Sequence, residues 1–281
     1  MSMRKEIAHN EVPVNRIRLL LIVGVTLGAI VAIALAPRIP QSEAYHNFAD
    51  QRSLFGIDNC LNVSSNIAFL VVGISGLFVI MSTRSRNSFV QTWERPHYVV
   101  FFVGVTLTCF GSAYYHLSPS TERLMWDRLP MTIAFMSLLS AVIAERINLK
   151  AAVALLLPLL LIGAASVVYW RITEEAGNGD LRPYALVQFF SGLVIVLIVV
   201  MFPSGYTRSV GLPAALIFYA LAKVFEFLDS TFYNLGQIVS GHTLKHLSAA
   251  LAVWFILRML RHRTPTVVAS MRGSAGILPA S

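Results

Sequence analysis

Residues 98–145 read YVVFFVGVTLTCFGSAYYHLSPSTERLMWDRLPMTIAFMSLLSAVIAE. Two apolar runs, 98–117 and 129–145, flank a short polar turn that carries Ser118, Ser120, Glu122 and Arg123. A run of about 20 apolar residues is long enough for a helix to cross a bilayer. A connection this short returns the second helix beside the first, so the stretch reads as a hairpin of two membrane helices. Working outward, six further runs repeat the pattern: 17–37, 60–82, 150–171, 182–203, 210–230 and 237–258. The expected fold is therefore all-α, a polytopic membrane helix bundle of eight spans. No internal repeat is visible, and the loops are too short for a second unit, so 1–281 reads as a single membrane domain.

Composition agrees. The chain has 281 residues, 56% hydrophobic and only 13% charged, whereas soluble domains carry about 25% charge. That excludes a soluble enzyme and a disordered chain. The formal charge of +8 would suggest a nucleic-acid partner until it is mapped. With the N-terminus inside, 14 of the 22 Lys and Arg fall in cytoplasmic segments, six in outer segments and two, Lys223 and Lys245, within spans. This is the positive-inside pattern, and no nucleic-acid partner is expected. Both termini are then cytoplasmic. The first run has a basic flank, Arg16 and Arg18, and an Ala-rich end, like a signal peptide, but it is longer than a usual signal core and Pro37 and Pro40 follow as a helix stop. It is read as a retained extra N-terminal helix, 17–37. The tail 261–281 is expected to be cytoplasmic, and disordered from Thr264. Cys60 and Cys109 lie at or in apolar segments and read as buried free thiols.

In this topology Ser112, His116, Asp127, His242 and His246 all lie near the outer face. Ionisable groups inside a membrane are costly and raise a functional hypothesis. His242 and His246, in HTLKH, are four apart and share a helix side. Two such rings can grip one metal ion, with His116 as third ligand at matching depth. Three histidines and an open position suit a catalytic zinc, which lowers the pKa of bound water toward ~7; the alternative is imidazoles hydrogen-bonded across a bundle. Ser112 shares the face of His116 one turn deeper. It could donate to a developing oxyanion or simply permit close helix packing. Asp127 could act as a general base, or cap the fourth helix, with Pro130 just inside it, or pair with Arg123 or Arg128. Arg128 reads as a headgroup anchor. Lys223, Glu226 and Asp229, with Lys245, read as a structural ion-pair network in preference to a proton or substrate role. His9, His97 and His262 read as cytoplasmic loop residues, and His46 as a secondary site residue. Asn59, Asn62 and Asn66 are expected to hold the outer segment 41–66 to the bundle. Asp50, Asp58 and Asn59 could offer oxygens to calcium, though capping and solvated acids account for them equally.

The assembled set, Ser112, His116, Asp127, His242 and His246, resembles the alkaline ceramidase family, and more widely the seven-span hydrolases that include adiponectin and progestin receptors. GSAYYHLSPSTERLMWDRLPMT (111–132) looks especially like bacterial phytoceramidase-like members, and SSNIAFL (64–70) resembles the first core helix. The likeness covers about 45–260. It implies a seven-span core, zinc on the three histidines, and hydrolysis assisted by Ser112 and Asp127 that cuts a ceramide amide to a sphingoid base and a fatty acid. The implied setting is a bacterial inner membrane with the site near its outer face and a membrane lipid as partner. Two features depart from the family: the extra first span, and YHNFADQRS (45–53), which lacks the tryptophan and most acids of the eukaryotic calcium site. Zinc is therefore the expected cofactor and calcium is unsupported. The same groups could also cut a lipid ester or acylated headgroup, and a non-catalytic receptor or transporter holding zinc is the third reading.

Overall fold

The computed structural model describes residues 16–82 and 88–266. Arg4, Lys5, His9, Arg84, Arg86, Arg272 and the tail beyond Thr266 lie outside the described residues. The fold is all helical, with helices α1 (Arg16–Leu35), α2 (Cys60–Met81), α3 (Arg95–Leu117), α4 (Thr121–Arg146), α5 (Leu149–Glu175), α6 (Arg182–Met201), α7 (Gly211–Phe227) and α8 (Gly241–His262). All but α7 are long and apolar enough to cross a membrane, giving seven candidate spans, of which α1 is one.

The eighth expected span, 210–230, is thus shorter than the sequence suggests. α7 has 17 residues and stops at Leu228, where the backbone leaves helical dihedrals, and a short helix, Asp229–Asn234, follows. Other ends shift because caps, not hydropathy, set them. α4 begins at Thr121 rather than 129, because the Ser120 hydroxyl accepts the Arg123 N–H at 3.2 Å. The expectation that Asp127 caps this helix is therefore wrong; Asp127 lies two turns inside. α8 begins at Gly241 rather than 237, since Ser240 caps it through the Thr243 N–H.

The bundle is apolar outside and selectively polar inside. Phe78 and Val200 are 74% and 78% exposed, while Asn62, Asn66, Ser137 and Ser140 are fully buried. In lipid this is the stable arrangement, since exposed apolar surface costs nothing there and buried polar groups find partners. Six helices, α2, α3, α4, α6, α7 and α8, pack in a closed ring around an internal cavity, with α5 outside against α4 and α1 outside against α6. α1 buries only Ile22 and is tied by polar links at its ends, from Arg18 to the Met201 carbonyl and from Arg182 to the Ala36 carbonyl.

A charged clasp closes one end. Arg146 donates to the Phe202 carbonyl at 2.6 Å, and Arg263 pairs with Glu145 under the rings of Tyr98 and Tyr206. The chain then runs back along the loop before α7, with Thr207 N–H to the Thr264 carbonyl and Thr266 N–H to the Gly205 carbonyl, both 2.9 Å. The tail expected from 261 therefore belongs to the folded body as far as Thr266. His97 is also no loop residue: it lies buried in the first turn of α3, with neither ring nitrogen partnered, and His262 is the last residue of α8. Both cysteines are buried and free.

Candidate metal centre

At the other end of the bundle α3 finishes while α2, α4 and α8 begin, so residues far apart in sequence meet there. His116 sits in the last turn of α3, and His242 and His246 in the first two turns of α8. All three are buried. One ligand nitrogen from each lies within 4.8 Å of the others. Nε2 of His116 faces Nε2 of His242 at 3.3 Å. Three buried imidazoles with ligand nitrogens this close together fit a shared cation. Neutral nitrogen donors at this spacing suit zinc. Among the described residues no fourth histidine, cysteine or carboxylate joins the group.

Neighbouring side chains fix the rings. Ser65 contacts His246 Nδ1 at 2.8 Å, which turns its Nε2 toward the other two. Asn59, left-handed at φ 50°, donates to the His116 carbonyl at 3.0 Å. Phe48 lies against His116 and His242, with ring centroids 4.7 and 4.4 Å away. Asp229 accepts the backbone N–H of His242 at 2.7 Å and that of Ala49 at 2.9 Å, binding the outer segment to the start of α8.

Ser112 and Asp127 meet because α3 and α4 approach closely. Pro130 has no N–H to give the Trp126 carbonyl, four residues back. Gly111 packs there: a Cβ added to it would lie 2.0 Å from that oxygen. The contact brings the next residue, Ser112, to the same side of the cavity as Asp127. Both are buried, and both line the cavity together with His246.

That cavity encloses about 140 Å³. Its polar head holds Ser112, Asp127, His246, Lys245 and Lys223; beyond them Thr108, Gln188, Ser191 and Tyr219 interrupt a mainly apolar lining that runs as far as Phe101 and Ile256. From Lys245 to Ile256 is 11 residues, or about 16 Å of helix axis. α6 contributes Gln188, from a π-helical turn at Leu186–Phe190, with its amide on the Tyr219 hydroxyl at 3.0 Å. Such turns recur at functional sites.

The other expectations divide. Glu226 bonds both Lys223 (2.6 Å) and Lys245 (2.7 Å), as the ion-pair reading requires. Asn62 reaches the Asp50 carbonyl and accepts from Thr243, so it does bind the outer segment, whereas Asn66 donates within its own helix. Arg128 is no headgroup anchor. It is buried beside Trp170 and Tyr184, with ring centroids 4.2 and 4.7 Å away, and donates to Gln41. His46 lies near the site but its nitrogens contact Tyr115 and Thr121 hydroxyls. The calcium oxygens are spoken for or apart: both Asp50 oxygens take Arg52, which holds that carboxyl below its ordinary pKa, and Asp58 is exposed. Ser65, Phe48 and Tyr45 were not foreseen as site residues. The first had a visible signal, since Asn62, Ser65 and Asn66 make a polar face on an apolar run.

Residues 57–207, 151 of 281, match the family model described as Ceramidase. The match contains Ser112, His116 and Asp127 and ends before α7 and α8. No curated protein and no solved structure gives a significant match to the chain.

Proposed function

The chain belongs to the ceramidase family, and on that premise we propose that it is a zinc-dependent amidohydrolase that cuts a membrane lipid of the ceramide class into an amine and a fatty acid. The observation that carries this is the convergence of three buried imidazoles, one of which, His246, lines a largely apolar cavity with Ser112 and Asp127.

His116, His242 and His246 would hold the metal. Bound there, zinc supplies a Lewis acid and an acidified water. The protein's own groups do the rest. The apolar cavity takes the acyl chain, so the scissile carbonyl comes to rest at the polar head without leaving the bilayer. Ser112 turns its hydroxyl to the carbonyl oxygen and steadies the charge that grows there as water adds. Asp127 takes the proton from the attacking water and returns it to the nitrogen as the C–N bond breaks. Phe48 covers His116 and His242, which keeps bulk water from the ligands. The positive-inside pattern orients the site toward the outer leaflet.

The test is zinc content and fatty-acid release by purified protein, with ceramide, other N-acyl lipids and ester lipids as substrates. His242→Ala is expected to lose both zinc and hydrolysis. Full zinc in that variant overturns the ligand assignment, full activity overturns the mechanism, and release from esters alone overturns the amide reading.

A further inference from the structure

The mechanism above leaves two partly buried cations unused. Lys223 on α7 and Lys245 on α8 both line the polar head of the cavity. They share one carboxylate: Lys223 Nζ is 2.6 Å from Glu226 Oε2, and Lys245 Nζ is 2.7 Å from Glu226 Oε1. Tyr45 also donates to Glu226 at 3.0 Å, so that carboxylate already accepts three hydrogen bonds. Each ammonium has three N–H donors and spends one on Glu226. The other contact of Lys245 is with His242 Nε2 at 3.4 Å, an atom that cannot accept once it ligates a metal. A simple ion pair would need one lysine. Asp127 lines the same polar head and offsets part of this charge, but Lys223 keeps N–H donors that no described residue accepts, and Lys245 loses its second acceptor when His242 ligates a metal.

We propose that Lys223 and Lys245 form a subsite for an anionic oxygen group, carboxylate or phosphate, on the amine portion of the lipid substrate. The inference rests on the hydrolase reading and narrows its substrate. The group belongs on the amine side because the long arm of the cavity, toward Ile256, is mainly apolar and takes the acyl chain. It lies close to the scissile bond because Lys245 touches a metal-ligand ring. The same pair disfavours a cationic headgroup. Glu226 sets the two ammoniums side by side, so that one anion can bridge them with charge-assisted hydrogen bonds.

The test is competition binding to full-length protein in nanodiscs, carrying Asp127→Asn to hold back turnover. Three probes share a palmitoyl amide: N-palmitoylglycine, N-palmitoylethanolamine and the phosphate ester of the latter. An anionic probe is expected to compete about tenfold better than the neutral one. A carboxylate preference and a phosphate preference both support the subsite and tell its ligands apart. Lys223→Met is expected to abolish the difference, and Lys223→Arg to keep it. In Lys223→Met the Glu226–Lys245 pair persists, and an unchanged melting temperature reports an intact fold. Equal competition by all three probes, or a preference that survives both Lys223→Met and Lys245→Met, overturns the subsite. Wild-type zinc content and hydrolysis are read separately, so equal competition with intact zinc-dependent turnover sinks this inference and leaves the hydrolase standing.

Discussion

Ser65 shows how one hydroxyl can set a metal site. It touches no candidate ligand position itself, yet its bond to His246 Nδ1 decides which nitrogen of that ring faces His116 and His242. Partners of this kind typically carry 10–100-fold in metal affinity. Ser65→Ala should therefore weaken zinc binding by about that factor in a chelator titration, while thermal stability falls by only about 1 kcal/mol, the scale of one hydrogen bond. Unchanged zinc affinity would mean that packing, not this bond, orients the ring. The i, i+4 spacing of His242 and His246 was legible because helix geometry alone puts both on one side. His116 was legible from depth. Ser65 left only the trace of a polar face shared with Asn62 and Asn66, and Phe48 and the cavity-facing side of Lys245 left none. In runs that are apolar nearly all round, no amphipathic stripe reports which face turns inward.

Between elements, the approach of α3 to α4 does for Ser112 and Asp127 what Ser65 does for a ring. Pro130 bares the Trp126 carbonyl and Gly111 fills the space against it, so a missing donor and a missing side chain meet. The sequence contained both residues, but nothing in it said that they touch, because register between two spans depends on packing. The helix ends were misread for a related reason. Hydropathy marks the apolar stretch, whereas Ser120 and Ser240 mark the first hydrogen-bonded turn, and the polar residues between cap and core ride inside the helix. Gly111→Ala should force the helices apart and cost about 1–3 kcal/mol, the scale of an overpacked contact. Hydrolysis should fall further than stability does, since Ser112 and Asp127 move with the two helices. Gly28→Ala on α1, where an added Cβ meets nothing within 4 Å and which lies outside the cavity, is the matched control. Equal thermal melts and equal turnover for the two variants would show that the Gly111 approach positions neither residue.

Over the whole molecule, the two ends of the bundle divide the work. One end is a charged clasp, Arg263 with Glu145 and Arg146 with the end of α6. The other gathers the three histidines, Asp127 and the lysine pair. The first and last described helices both have their outer chain ends at the clasp, since Arg18 reaches Met201 there and Arg263 closes α8 there. An even number of passes through the bundle follows, even though α7 alone is too short to be counted a membrane span by length. In the orientation proposed from the excess of Lys and Arg, the clasp would lie in the cytoplasm and the metal centre outside. This predicts a labelling pattern. With Cys60 and Cys109 replaced by serine, a cysteine at Phe55, which is 99% exposed at the site end, should react with a membrane-impermeant maleimide on intact spheroplasts. A cysteine at Arg261, exposed at the clasp end, should react only after the membrane is opened. The reverse order would turn the protein over in the bilayer and put the metal centre on the cytoplasmic leaflet. The chemistry derived for the site would survive that result, but its lipid would have to be drawn from the other leaflet.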